Sequence, residues 1–258
     1  MHASLFHGLS NPLLLFGVLF VAIIAFSAFR RNSESRRRAA ALQSMGYARL
    51  TRQQAFDNPK LIARLIFDNA AASISDWVGK GQSAFGETVI FDFTHDMGVD
   101  SAGRPSRFTV VAFRVAHAAV DFEISHVLLL ERLLHLPNEG DIVPPHMATY
   151  DRHSHQWTRP EIDLPLLKCV APDGNPAFAQ NYRVWSSDPV AMQRVLTRAM
   201  MDALVRANDV NLHVAKRGDW LMVYRWVSSA TAPGRYPALV QEAAQLAAQL
   251  DLGVRGSG

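Results

Sequence analysis

The segment that decides the fold is YRVWSSDPVAMQRVLTRAMMDALVRANDVNLHVAKRGDWLMVYRWV, residues 182–227. Its hydrophobic period changes twice. Tyr182 to Trp185 reads as a short strand. Asp188-Pro189 then opens a helix, with Asp as N-cap and Pro at the first helical position, where its missing N–H costs nothing. Met192, Val195, Leu196, Ala199, Met200 and Ala203 recur at helical spacing and mark the buried stripe. Val210–Ala215 and Trp220–Val227 return to a period of two, as a hairpin around Arg217-Gly218. In the second of these strands Trp220, Met222, Tyr224 and Trp226 share one face, and Leu221, Val223 and Val227 the other. A strand apolar on both faces belongs in the middle of a covered sheet.

Downstream, Pro233 and Gly234 precede a last helix that runs to about Leu250, with Leu239, Ala243, Leu246 and Leu250 facing inward. Upstream, Gly86 begins a strand pair. Thr88–Phe93 alternates, Met97–Pro105 is a Gly/Pro loop, and Phe108–Val115 returns. Val120–Ile124 reads as a third strand, Leu128–Leu136 as a short helix, and Leu61–Ala72 as an amphipathic helix. The order β-α-β-β-α after an earlier meander predicts an α+β fold, an antiparallel sheet with helices packed on one side.

The N-terminus is of another kind. From Leu13 to Phe29 every side chain is apolar or small. As a helix this run covers about 25 Å, close to a hydrocarbon core of about 30 Å. No Lys or Arg precedes it, only His2 and His7, whereas Arg30, Arg31, Arg36, Arg37 and Arg38 follow. By the positive-inside rule the N-terminus lies outside and the C-terminal bulk in the cytosol, as in a single-pass protein of a bacterial inner membrane. A cleaved signal peptide carries its charge on the opposite flank. The expected organisation is thus an extracytoplasmic 1–12, a transmembrane helix 13–29, a basic juxtamembrane helix 30–45 ended by Gly46, a first α+β part 46–136, a Pro/His-rich connector 137–160, a second α+β part 161–252, and a disordered tail 253–258.

The pI near 9.2 does not indicate nucleic-acid binding. Residues 30–38 hold five Arg against one Glu, a net +4, so the rest of the +3 chain carries −1. No basic face remains for a polyanion. The arginines report topology and can touch anionic headgroups. Cys169 is the only cysteine, so no intramolecular disulfide forms, which fits a reducing compartment.

Residues with chemistry are few. His146, His153 and His155 stand near Asp151 as the weak candidates for a metal site. They lack the Cys or acidic partners of zinc sites, and exposed loop histidines are the plainer reading. Gly79-Lys80-Gly81-Gln82-Ser83-Ala84 matches a loose dinucleotide fingerprint without the required strand before it and helix after it, so it reads as a turn. Asp92 and His95-Asp96 end the first strand, and no partner constellation is legible. Arg217-Gly218-Asp219 is turn chemistry. Trp220, Tyr224 and Trp226 read as core, with a partner groove as the alternative.

The run Asn175-Pro176-Ala177-Phe178-Ala179-Gln180-Asn181-Tyr182-Arg183-Val184-Trp185, then Ser187-Asp188, Leu196-Thr197 and Met200-Met201, resembles a recurrent pattern. In it, proline-any-phenylalanine precedes an aromatic-any-valine strand, an acidic helix cap follows, and a strand pair such as Val210–Val227 closes the unit. The pattern belongs to membrane-anchored bacterial proteins of unknown function with a cytosolic α+β domain. The resemblance implies that fold and a membrane context, and no catalytic residue.

With no cofactor and no catalytic set legible, the reading favours a non-enzyme: a membrane-anchored cytosolic module that binds a protein partner or a second copy of itself. A membrane-tethered metal-dependent hydrolase using the 146–155 loop is the first alternative. An anionic-lipid surface sensor working through Arg36 to Arg38 is the second.

Overall fold

The computed structural model describes residues 12–50, 62, 73–99, 105–115, 120–127, 149–151, 156–158, 167–228 and 231–252. Helix α1 runs Pro12–Ser44 as one piece. Strands β1 (Ala48–Arg49), β2 (Ser73–Ser83), β3 (Gly86–Val99), β4 (Pro105–Arg114) and β5 (Phe122–His126) follow. Two short strands, β6 (Thr149–Asp151) and β7 (Gln156–Thr158), pair only with each other. Then come β8 (Lys168–Val170), α2 (Pro176–Asn181), β9 (Tyr182–Ser186), α3 (Pro189–Val195), α4 (Arg198–Ala207), β10 (Leu212–Arg217), β11 (Trp220–Val227), a 3-10 turn Pro233–Arg235 and α5 (Tyr236–Ala247). Nine strands form one antiparallel sheet in the order β1-β2-β3-β4-β11-β10-β5-β9-β8.

This is the expected α+β class, and β11 is central, between β4 and β10. The expected parts 46–136 and 161–252 share the sheet, because β5 of the first lies between β9 and β10 of the second. The 137–160 stretch lies between β5 and β8 in the chain. Of that stretch only the backbone hairpin β6–β7 is described. The expected helices 61–72 and 128–136 lie outside the described residues, apart from Ile62, which is helical and buried.

Local chemistry sets the element ends. Asp188 caps α3 by accepting from the N–H of Val190 and Ala191, ahead of Pro189. The helix expected to continue through Ala203 is in fact two. Thr197 leaves helical geometry, and its Oγ1 accepts from the Met200 N–H to cap α4 while donating to the Gln249 carbonyl. A side chain able to cap competes with helix continuation. Asn175 caps α2 in the same way, and the β10–β11 turn uses Gly218 at φ +52.

The C-terminal end of α1 is a Schellman motif. Gly46 sits at φ +80, its N–H donating to the Gln43 carbonyl, and the Tyr47 N–H reaches back to Leu42. This swings Tyr47 beside Leu42, and both are buried against β2. There the sheet has two gaps. A Cβ on Gly79 would lie 2.9 Å from Leu42, and one on Gly81 would lie 2.6 Å from the Tyr47 ring. Gly79 and Gly81, two residues apart on one strand, share a face and form the floor on which α1 ends. They belong to a strand, and the turn expected over 79–84 is confined to Ala84-Phe85.

The sheet has a core on each face. The helix-side core joins Leu42 and Tyr47 to Ile90, Val111, Phe122, Val184, Val214 and Val223, capped by Met192, Met200, Tyr236 and Leu246. The opposite face gathers Ile62, Val78, Val89, Phe91, Phe93, Val110, Trp220, Met222 and Tyr224. A central strand buried on both faces follows directly from apolar residues at successive positions.

Gly81→Val should therefore be costly. Its side chain must displace a rigid aromatic ring, an overpacking penalty of about 1–3 kcal/mol. Thermal unfolding of the full chain in detergent should show a clear drop in Tm. Gly17→Ala, with open space around its Cβ, should leave the domain transition unchanged.

Candidate functional site

Over Phe16–Ser44, helix α1 is long and apolar enough to cross a membrane. Its side chains Phe16, Leu19, Phe20, Ile23, Phe26 and Phe29 touch nothing that buries them. The arginines after the span do not share one environment. Arg30, Arg36 and Arg37 are exposed. Arg38 turns inward, with a side chain only 13% exposed, one helical turn before Leu42 and on the same helix face.

Arg38 arrives at a buried polar node. Asp92, on β3, is 3% exposed. Thr109 Oγ1 donates to its Oδ1 at 2.7 Å, and the Tyr236 hydroxyl donates to its Oδ2 at 3.2 Å. Thr231 completes the chain with a 2.6 Å contact to Thr109 Oγ1. Burial pushes the Asp92 carboxyl above its ordinary range, opposed by the Thr109 hydrogen bond and the nearby Arg38 charge. Burial raises the Tyr236 hydroxyl too, and Asp92 raises it further. One carboxylate thus ties together α1, two strands and the start of α5.

The register carries this node across the sheet. Asp92 pairs with Thr109, Thr109 with Arg225, and Arg225 with Leu212. Arg225 is held by Asp209, 2.6 Å from its Nε, and by both carboxylate oxygens of Glu242. These partners hold its charge above the ordinary guanidinium range against the opposing effect of burial. Around this ion triad opens a groove of about 580 Å³, walled by Trp226, Val227, Arg235, Ala238 and Leu239. Trp226 is 38% exposed here, whereas Trp220 and Tyr224 are buried. Of the aromatic face read as core, Trp220 and Tyr224 are core, and Trp226 is exposed at the end of that face, opposite the Arg225 side chain.

A second charged cluster lies on the other face. Tyr224 donates to Glu123 at 3.3 Å, its ring stacked on His213 at 4.8 Å. Arg217 Nη2 is 3.9 Å from Glu123. Burial lowers the Arg217 guanidinium, and Glu123 then Asp121 oppose the shift. Next to it Lys216 donates to Asp121 at 2.9 Å. Arg217, first of the Arg-Gly-Asp triplet, is 1% exposed, so the triplet presents no adhesion surface. A general acid or base needs to reach its substrate, and these groups are interior.

His146, His153 and His155 lie outside the described residues, as do the side chains of His95 and Asp96. Among the described residues no three His, Cys, Asp or Glu side chains gather as metal ligands. Cys169 is buried and forms no disulfide.

No protein-family profile matches the chain, and no curated protein matches it. Among solved structures it is similar to the crystal structure of the mycobacterial trehalose monomycolate transport factor A, TtfA. The TM-score is 0.47 at 17% identity, over 83% of this chain and 90% of that one.

The raised Asp92 pKa has a definite consequence. Between the unfolded value near 3.8 and the higher folded one, the folded state binds more protons, so stability falls as pH rises through that window. Asp92→Asn keeps an acceptor for Thr109 but cannot ionise. Urea unfolding followed against pH should show the wild-type free energy descending above the unfolded value, by at most about 1.4 kcal/mol for each tenfold fall in proton concentration. The variant's profile should lack that descent.

Proposed function

We propose that the protein is a single-pass inner-membrane protein, N-terminus outside, whose cytosolic domain is a non-catalytic module that binds a protein partner or a second copy of the chain. The observation that carries this reading is the seat of Leu42 and Tyr47 over Gly79 and Gly81. A domain tethered only for confinement needs a flexible linker. Here the anchor helix enters the helix-side core and carries Arg38 to Asp92. That supports a domain whose orientation to the membrane matters, as it does for a surface that must meet a partner at a set angle.

The groove beside Arg225 is the surface that suits such a partner. Its floor is polar and internally satisfied, and the side chains of Val227, Ala238 and Leu239 around it are apolar. The groove is formed by the end of β11, by α5 and by the loop residues Asp209, Asn211, Ser228, Thr231 and Ala232 between elements.

A photo-cross-linker at Ala238, in the groove wall, should capture one discrete product in native membranes, and a cross-linker at the exposed Gln193 should not. Adding Leu239→Glu should reduce the Ala238 product by about tenfold, the loss of one apolar anchor of roughly 1.4 kcal/mol. Equal capture from both positions, or none from Ala238 where an abundant membrane protein cross-links normally, would remove the binding-module reading.

A further inference from the structure

We infer that the domain stands on the bilayer by the Asp92–Arg225 end of its sheet, and that this end contacts anionic lipid headgroups through Arg36, Arg37 and Arg235. The inference rests on the membrane anchor proposed above and names a contact surface that the anchor alone does not specify.

Helix α1 runs along the strands. On β3, Asp92, Ile90 and Thr88 follow one another on the helix-side face, with Ile90 registered to Gly79 and Thr88 to Gly81. Arg38 lies by Asp92, Leu42 over Gly79 and Tyr47 over Gly81. Four helical residues advance about 6 Å and two strand residues about 7 Å, so helix and strand keep step. The membrane end of α1 therefore points beyond Asp92.

The domain also sits low. From Phe29, the last residue of the apolar run, to Arg38 is nine residues, about 13–14 Å of helix. The next row of the sheet toward the membrane, Thr94–Arg107–Val227, lies about 7 Å closer. That leaves this row about 6–7 Å from the hydrocarbon edge, and β3 and β4 run on past it to Val99 and Pro105, so their end meets the headgroup layer of about 5–8 Å. The short stretch Arg30–Arg37 has no length to hold the domain further away.

The charge at this end suits an anionic surface. Arg30, Arg36, Arg37 and Arg235 are exposed here. Arg235 sits in the 3-10 turn that contacts α1. Among the described side chains the acidic groups nearby are engaged: Glu34 lies between Arg30 and Arg38, Asp92 is buried in its node, and Asp209 and Glu242 are held by Arg225. Exposed cations within a Debye length of an anionic surface are attracted to it in a salt-dependent way. Trp226, half-open at the same end, has the amphipathic ring that favours the interfacial layer.

The full chain in nanodiscs tests this by hydrogen exchange. In phosphatidylcholine containing phosphatidylglycerol, amides of residues 231–240 should exchange about threefold more slowly than in phosphatidylcholine alone, and high salt should erase the difference. The triple variant Arg36→Gln, Arg37→Gln, Arg235→Gln, all at exposed positions, should erase it too, with amides of β4 and β11 unchanged. Identical exchange at 231–240 in both lipids, with residues 13–29 protected, would overturn the lipid contact and leave the anchor standing. Protection at 231–240 that appears only in native membranes would overturn it in favour of a protein contact. Unprotected residues 13–29 in every bilayer would overturn both readings.

Discussion

Two missing Cβ atoms set the geometry of this protein. A helix ending on a sheet ordinarily stands off by the thickness of the side chains between them. At Gly79 and Gly81 that layer is absent, and the last turn of α1 descends until Leu42 and Tyr47 fill the space. The Schellman turn makes this feasible, because Gly46 reverses the chain and places Tyr47 back beside Leu42. The placement of the preceding turns of α1 follows from that contact. Once Leu42 is seated, the helical repeat puts Arg38 at Asp92 and sends Arg36 and Arg37 outward. Asp92 in turn holds Tyr236, and Tyr236 begins the helix that walls the groove.

Much of the frame is legible in the chain. β11 reads as central because it is apolar on both faces, and so it is. Asp188-Pro189 caps a helix where the residue chemistry says it must. What the sequence hides is hidden for physical reasons. β2 escapes because its two glycines lower strand propensity and imitate a phosphate-binding fingerprint. Their spacing of two, one face of a strand, was the available signal. The break at Thr197 escapes because α3 and α4 bury the same side, so the apolar stripe runs on through the gap. The arginine run looks uniform as a string, but Arg38 stands four residues before Leu42 and shares its face. That pairing separates the buried arginine from the exposed ones. The groove could not be read at all, since Asp209, Arg225 and Glu242 meet only through tertiary structure.

The buried charges show why this sheet holds one register. Asp92 with Arg38, Asp121 with Lys216 and Glu123 with Arg217 are largely withdrawn from water. Such pairs contribute little net stability, because desolvation offsets their attraction. A slip of one residue, however, would move each of them to the opposite face and leave a buried charge alone. The penalty for that misalignment is several kcal/mol per pair, so the pairs act as alignment marks along β3, β5 and β10. They also separate the two faces by character. The helix-side charges connect elements, Asp92 joining α1 to α5, while the Glu123–Tyr224–His213 group stays within neighbouring strands.

A rigid joint between anchor and domain changes what binding requires. A module on a flexible tether gains local concentration but must still lose its rotational freedom when it docks. Here that freedom is already lost in folding, when Leu42 and Tyr47 enter the core. On the reading proposed above, a partner held in the same bilayer, with its own contact surface at the matching height, would meet the groove without a further orientational search. The same rigidity cuts the other way. A partner at the wrong height finds no compensating flexibility, so the joint favours selectivity by position as much as by contact chemistry. On that reading the two glycines of β2 would bear on recognition although they lie outside the groove's walls.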